Sequence, residues 1–299
     1  MTVRALFAED MLLGRLFTGI GRSPKAVVAA VVCIILLFAA VIGPYLTPQN
    51  PFDLAVLDIL DSKLPPGSQS MDGMNYWLGT DGQGRDMFSA MIYGLRTSLG
   101  VGVFSGLVAL IVGTVLGLIA AYFGGRIDTL IMRVVDLMLG FPTILVALML
   151  LALLGQGLWK VIFALILVQW ATFARAVRSA ALVEKNKDYV EAAVTLGIGT
   201  PRILIGHILP NCLPPLIVIG MLQVANAISA EATLSFLGIG LPITEPSLGL
   251  LIANGYQLLM SGEYWISVYP GVLLLVLVFS INIVGDRLRE VLNPRLGER

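Results

Sequence analysis

The chain has 299 residues, of which 57% are hydrophobic and only 13% are charged, and its formal net charge is zero. Soluble domains are about half apolar and about a quarter charged, so this composition excludes an ordinary water-soluble domain and indicates a protein surrounded largely by lipid. A neutral chain offers no basic field for nucleic acid. One histidine, His207, is too little for a histidine-based metal site, and Cys33 and Cys212 lie in apolar runs where thiols pack rather than pair.

Apolar runs along the chain predict where it crosses a membrane. A helix needs about 20 mostly apolar residues to cross a hydrocarbon core of about 30 Å. The runs that meet this requirement are 26–46, 98–122, 130–154, 159–178, 208–238 and 267–285. The first run follows basic residues, as in a signal peptide, but no clear small-residue cleavage site comes after it. We therefore predict an uncleaved first helix and an all-α integral membrane protein with six transmembrane helices.

The placement of Lys and Arg predicts the orientation of these spans. If the N-terminus is inside, the outer segments hold only four of the 19 basic residues, namely Lys63, Arg85, Arg96 and Lys160. Cytoplasmic segments carry the excess of Lys and Arg in membrane proteins. The sequence therefore predicts a multi-pass protein with both termini in the cytoplasm.

The spans divide the chain into consecutive segments. Residues 1–25 form a cytoplasmic N-terminal segment, 26–46 the first transmembrane helix, and 47–95 a proline-rich extracytoplasmic insert. Residues 96–288 form a core with the other five spans and a cytoplasmic loop at 185–207. Residues 289–299 form a cytoplasmic tail.

The loop between the fourth and fifth spans holds the most informative pattern. Glu191-Ala192-Ala193 are good helix formers, Gly197 and Gly199 end a helix, and Pro201 begins another. The pattern predicts a short helix, a sharp turn and a second helix at the membrane surface. The two small residues after a carboxylate leave a low-relief surface that fits a groove of another protein.

This loop resembles the EAA loop of ABC importer permeases. Glu191-Ala192-Ala193, Gly197 and Leu209-Pro210 match the family pattern, and His207 stands where the family usually has Ile, as it often does in the peptide-importer branch. Other segments are similar to the C-type permeases for dipeptides, oligopeptides and nickel, and together the similar segments cover most of residues 26–296. They are Leu78–Ser89 followed by Gly94–Leu99, Arg133–Asp136 with Phe141-Pro142, Glu231–Gly240, and Gly285–Arg289 before Pro294. The chain departs from the family at Leu248, where Trp is usual.

The resemblance implies a type I ABC importer permease in a bacterial cytoplasmic (inner) membrane. It implies half of a translocation pathway for short peptides or related small solutes, completed by a second homologous permease. It further implies that two ABC ATPase subunits dock on the loop at 185–207, which would act as a coupling loop, and that an extracytoplasmic substrate-binding protein delivers the solute. Nickel chelates, glutathione, opines and sugars remain open as substrates, as does homo- or heterodimeric pairing of the permeases.

The chain is not expected to be an enzyme. It contains no G-x-x-x-x-G-K-[ST] loop, so ATP and Mg²⁺ are expected in the partner ATPases and no cofactor in this chain. An ion-coupled secondary transporter is the main alternative, although Asp136 and Glu231 do not form the matched pair of intramembrane carboxylates that such proteins usually show. A membrane enzyme is a second alternative, but it would need a nucleophile with its base, or a metal cluster, at membrane depth. The single histidine, His207, lies on the predicted cytoplasmic side and makes this alternative poor.

Several charged or helix-breaking residues have two interpretations each. Glu231 and Asp136 are candidates for the translocation pathway, but Glu231 could instead bond another helix and Asp136 could pair with Arg133. Pro142 is predicted to bend the third span, as a gating hinge or as fixed shape. For binding-protein docking the candidates are Arg85 and Asp86, which could instead form a structural pair within the insert.

Glycines at G-x-x-x-G spacing mark one face of the second span. The pairs are Gly102 with Gly106 and Gly113 with Gly117. The spacing allows a neighbouring backbone to approach closely. That neighbour is either another subunit or another helix of this chain.

Overall fold

Long apolar helices form the protein, because a chain in lipid must satisfy its backbone polar groups within each helix. The computed structural model describes residue 14 and residues 19–53, 57–70 and 73–292. Most of the predicted N-terminal segment and tail therefore lies outside the described residues. In the described part of the chain, the helices long and apolar enough to cross a membrane are Pro24–Tyr45, Met87–Phe123, Leu158–Lys185, Thr200–Phe236 and Trp265–Leu292.

The elements are labelled in chain order. Helices α1 to α5 are Pro24–Ile42, Met87–Phe123, Gly125–Gly140, Thr143–Leu154 and Leu158–Lys185; α6 to α10 are Asp188–Thr195, Thr200–Ile203, Leu209–Phe236, Leu248–Tyr256 and Trp265–Leu292. A π-helical segment, Leu204–Ile208, joins α7 to α8. Short 3-10 turns are Gly43–Tyr45, Ile59–Asp61 and Leu259–Ser261, and the strands β1 (Ser68–Gln69) and β2 (Asn75–Tyr76) pair antiparallel.

The predicted span 130–154 is broken. Helices α3 and α4 meet at an angle of 91°, and together they account for a sixth span or a re-entrant loop. Phe141 lies between them in an extended conformation (φ −98°, ψ 145°). The residue before a proline is driven out of the helical region, so Pro142 ends α3 instead of kinking a continuous helix. The bend predicted at Pro142 is therefore a break of 91° between two separate helices.

Packing between α2 and α5 forms the largest helix interface described. Added Cβ atoms at Gly113 and Gly117 would lie 2.5 Å from the Trp170 carbonyl oxygen and 2.6 Å from the Ala174 carbonyl oxygen, both on α5. The other pair faces α8, where a Cβ on Gly102 would meet Ile228. Both G-x-x-x-G pairs therefore serve packing within the chain.

The segment between α1 and α2, residues 43–86, is called the insert. Its hydrogen bonds converge on Asp61, which is 6% exposed and accepts from Ser70 Oγ and Tyr76 Oη at 2.7 Å each. Helix α2 begins at Met87, with Asp86 as its N-cap. Residues 87–95, which the sequence assigned to the insert, are therefore helical.

Helix α9 has no counterpart in the sequence prediction. Ser247 caps it by accepting from Leu250 N at 3.2 Å, and the helix packs against α10 and α8. It is too short to cross a membrane. Its tight packing depends on Gly249 and Gly255, whose Cβ atoms would collide with the backbones of Ala232 and Ser267.

Candidate functional site

Residues 188–203, called the α6–α7 corner, form a short helix, a tight turn and the start of the next helix. Asp188 and Glu191 lie in the first turn of α6, where carboxylates complement the helix dipole. The helix ends at Gly197 (φ 70°), whose N–H donates to the Val194 carbonyl at 2.9 Å, while Ile198 N donates to the Ala193 carbonyl at 3.1 Å. This pair of bonds satisfies the last carbonyls of the helix and needs a left-handed residue.

The corner has one buried and one exposed face. Val190 and Ala193 are 2% and 3% exposed and pack into the core beside Phe173 and Ile203. On the other face Leu196 is 79% exposed, beside Val194, Ala192 and Glu191, which are also exposed. This exposed face has a projecting leucine, small and apolar neighbours and one carboxylate. Such a surface is suited to binding a protein partner.

Hydrogen bonds hold the corner rigidly against the long helices. Tyr189 Oη donates to Glu184 Oε2 on α5 at 2.6 Å, and Asn211 Nδ2 on α8 donates to Tyr189 Oη at 3.1 Å. Burial raises the pKa of Tyr189 to about 12, and the hydrogen bond to Glu184 is the second cause of this rise. His207 Nδ1 donates to the Arg202 carbonyl at 3.2 Å, as expected of a structural donor. Displacement of α6 would therefore be transmitted to α5 and α8.

The residues predicted for coupling divide between the two faces. Glu191, Ala192 and Gly197 are exposed together on the corner. Ala193 was expected on the same surface, but its methyl group faces the core. Leu209 and Pro210 begin α8, where Leu209 packs against the core cluster. For Ala193 the expectation of an exposed, low-relief surface is therefore corrected to internal packing, and a role of Leu209 and Pro210 in coupling stays a prediction.

A second feature is a pocket of about 360 Å³ between α4, α5 and α8, called the polar pocket. Its apolar walls include Ile144, Leu165 and Val168. Its polar side chains are neutral amides and hydroxyls: Thr143, Gln169, Thr172, Gln223, Asn226 and Ser229. These residues come from three distant parts of the chain, so only the fold brings them together.

Glu231 does not line this pocket. It is completely buried, where its carboxylate accepts from Ser98 Oγ on α2 at 2.8 Å and from Ser235 Oγ at 2.7 Å. Ser98 Oγ also accepts from Leu248 N of α9 at 3.3 Å. The geometry thus favours the interhelical alternative for Glu231, because the side chain and its partner Ser98 tie α2, α8 and α9 together.

Asp136 also lies away from the polar pocket. Its partner is Arg175 on α5, at 2.5 Å between Oδ1 and Nη2, and not Arg133 as expected. This ion pair joins α3 to α5. Pro142 precedes Thr143, so the predicted bend lies at the edge of the polar pocket.

Arg85 and Asp86 were candidates for docking a binding protein, but each is only 1% exposed. Arg85 Nε pairs with Asp81 Oδ2 at 2.7 Å. Asp86 Oδ2 accepts from Ser89 N at 2.8 Å and from Ser89 Oγ at 2.6 Å at the start of α2. Both side chains are used within the chain and neither is available to a partner, so the docking prediction is wrong.

Membrane-length helices, a broken span and a rigid exposed corner define a multi-pass helical membrane protein. Its fold is similar to the methionine ABC transporter MetNI in inward-facing conformations, with a TM-score of 0.55 and 22% identity over 69% of this chain and 97% of that one. The family model for the inner membrane component of binding-protein-dependent transport systems matches residues 113–298.

Curated relatives match almost the whole chain. The dipeptide transport system permease protein DppC of Bacillus subtilis is 37% identical over 276 residues, 92% of this chain and 83% of that protein. DppC of Haemophilus influenzae is 37% identical over 91% of both chains. The di/tripeptide permease DppC of Pseudomonas aeruginosa is 37% identical over 88% of this chain and 86% of that protein.

The chain belongs to the family of inner membrane components of binding-protein-dependent transport systems. It is a transmembrane permease subunit of an ATP-driven importer, not itself catalytic, and acts with ATPase and permease partners. The family supports this function and not an ion-coupled secondary transporter.

Proposed function

We propose that the chain forms half of a pathway for di- and tripeptides and couples to two ATPases through the α6–α7 corner. A second homologous permease completes the pathway, and an extracytoplasmic binding protein delivers the peptide. The exposed Leu196 beside Glu191 carries this proposal. An apolar side chain that projects 79% into solvent from a rigid turn is explained by a partner that covers it.

The peptide substrate is supported by the relatives' names. Three of them are called dipeptide or di/tripeptide permeases, at 37% identity over about nine-tenths of this chain. The neutral lining of the polar pocket is compatible with a peptide backbone. Neither nickel nor an acidic opine has an obvious charged counterpart in that lining.

Coupling is supported by the rigidity of the corner. Closure of the ATPases would move α6 as a unit, because its hydrogen bonds to Glu184 on α5 and Asn211 on α8 leave it little freedom. The same two long helices form walls of the polar pocket. A rigid-body shift at the corner would therefore alter access to the pocket.

Uptake by the complete complex tests this function. The permease, its co-purified partners and the binding protein are reconstituted in liposomes, and uptake of labelled trialanine is measured with and without ATP inside. We expect ATP-dependent uptake that also requires the binding protein. Uptake driven by an ion gradient without ATP would contradict the proposal, as would ATP-dependent uptake of a nickel chelate or an opine but not of trialanine.

Cysteine labelling tests the proposed cytoplasmic position of the corner and of both termini. Leu196→Cys and Trp77→Cys, in a parent with Cys33→Ala and Cys212→Ala, place thiols at positions of equal exposure, 79% each. With an impermeant maleimide on intact spheroplasts, we expect Trp77→Cys to react at once and Leu196→Cys only after permeabilisation. The reverse pattern would invert the topology.

A further inference from the structure

The polar pocket lies at membrane depth. Gln169 and Asn226 are in the middle parts of α5 and α8, which are both membrane-length helices, and Thr143 begins the second half of the broken span. Polar groups are costly at this depth unless they are bonded to one another or exposed to a wet cavity. A cluster of six neutral polar side chains here therefore requires an explanation.

Gln169 is the clearest anomaly in the cluster. The residue is 6% exposed and lines the pocket, yet its Oε1 is buried without a hydrogen-bond donor among the described residues. An unpaired buried carbonyl oxygen is unfavourable because it has lost water and gained no replacement. A rotation of the side chain that turns this oxygen toward the pocket would let it accept a bond from an N–H or O–H group there, and it would give up no existing bond with the described residues.

The polar groups on α8 are already oriented by hydrogen bonds. Asn226 Nδ2 donates to Gln223 Oε1 at 2.9 Å, one turn apart on α8. Ser229 Oγ donates its hydrogen to the Ala225 carbonyl at 3.0 Å, which leaves its oxygen free to accept. The wall on α8 therefore presents an ordered row of amide and hydroxyl groups opposite Gln169.

We propose that the polar pocket is a transient binding site for the backbone of the transported peptide, with Gln169 Oε1 accepting a peptide N–H. This inference rests on the proposed function. The residues that line the pocket carry no charge, so the site cannot hold either terminus of a zwitterionic peptide by an ion pair. The site recognises the amide group that all short peptides share and does not select among their side chains.

Weak binding suits this position in a transporter. A site on a transport pathway must bind the substrate strongly enough for it to enter and weakly enough for it to leave. Neutral hydrogen bonds are individually weak enough for this, whereas a buried ion pair would hold the substrate too tightly for release. Occupation of the pocket by a side chain of the second permease is the alternative, and it predicts no dependence on the peptide's N–H.

The test compares two peptides in two variants of the complete reconstituted complex. The probes are trialanine and a trialanine that is methylated at the amide nitrogen of its middle residue. Uptake is scaled to the fraction of each peptide held by the binding protein. Gln169→Met keeps the length of the side chain and removes the acceptor, and Gln169→Leu repeats the comparison with a different shape. Asn282→Leu on α10 is the matched control, because its amide bonds only its own helix, at Val278 O.

We expect the wild-type complex to import the methylated peptide about fivefold more slowly than trialanine, the effect of about one net hydrogen bond. Gln169→Met should slow trialanine by a similar factor and remove the difference between the peptides, while Asn282→Leu keeps it. An unchanged difference in both Gln169 variants would overturn the site while leaving the proposed function intact. Failure of the wild type to import trialanine would overturn the function itself, together with this inference.

Discussion

Arg178 on α5 donates from Nε and Nη2 to the two carboxylate oxygens of Asp128 on α3, at 2.5 and 2.6 Å. The fork of two parallel bonds fixes both the distance and the angle between the helices. A second ion pair, Arg175 with Asp136, joins the same helices nearer the bend. The first half of the broken span is therefore held to α5 by paired charges at two levels.

The two ion pairs should differ in strength. The side chains of Arg178 and Asp128 are 29% and 19% exposed, whereas those of Arg175 and Asp136 are 50% and 62% exposed. We expect Asp128→Asn to lower the free energy of unfolding by about 1–2 kcal/mol, and Asp136→Asn by less than about 1 kcal/mol, because water screens an exposed pair. Denaturant titration of the purified protein in detergent measures both. Equal effects would contradict this ranking.

Docking through the corner should depend on its exposed apolar group. Leu196→Asp places a charge where the ATPase would bury a leucine, and we expect at least about tenfold weaker association with the ATPases, because burial of a leucine contributes about 1.5–3 kcal/mol. Leu60→Asp in the insert is the control, since Leu60 is 76% exposed on another part of the molecule. Co-purification of the ATPases measures the difference, and equal retention in both variants would remove the corner from the interface.

Glu191 offers a charge test of the same surface. Its carboxylate is exposed and forms no ion pair with the described residues, so Glu191→Lys breaks no ion pair in the part of the chain that the structure describes. We expect normal insertion but peptide uptake reduced at least about tenfold per ATP hydrolysed, because a reversed charge at a docked surface is unfavourable. The ratio of uptake to ATP hydrolysis measures coupling. An unchanged ratio would contradict the role of Glu191.

The turn of the corner should accept only glycine at one of its two glycines. Gly197 has φ 70°, whereas Gly199 has φ −61° and ψ 143°, which any residue adopts. We expect Gly197→Ala to lower the free energy of unfolding by about 1–2 kcal/mol and Gly199→Ala to have little effect, because only the former puts a Cβ in the left-handed region. Thermal denaturation compares them. Steric clashes do not affect this comparison, because a Cβ at either position would meet nothing within 4 Å.

The insert should lose stability at alkaline pH. Burial and the hydrogen bond to Asp61 raise the pKa of Tyr76 to about 12, above the usual value for a tyrosine of about 10. A phenol with a raised pKa in the folded state stabilises fully below the unfolded value, and that stabilisation is lost as pH rises from about 10 through 12. We expect Tyr76→Phe to be less stable than wild type at neutral pH and the gap to close over that interval. A constant gap across the interval would contradict the linkage.

Hydropathy alone determined most of the spans, because crossing lipid imposes length and apolarity on each helix separately. Glycine and proline placement determined the α6–α7 corner, because Gly197 and Pro201 act on the backbone locally. Both properties depend on residues close together in the chain. They were therefore readable before any fold was known.

Tertiary structure decided the destinations of individual side chains. Ala193 and Ala192 are equivalent in sequence, yet only helix orientation puts the first in the core and the second outside. Glu231 accepts a hydrogen bond from Ser98, which lies 133 residues earlier in the chain. Arg85 is buried in the insert, where it pairs with Asp81. The polar pocket likewise assembles from three separate helices. Such meetings depend on how helices pack against one another, and packing is a property of the whole chain that no local pattern contains.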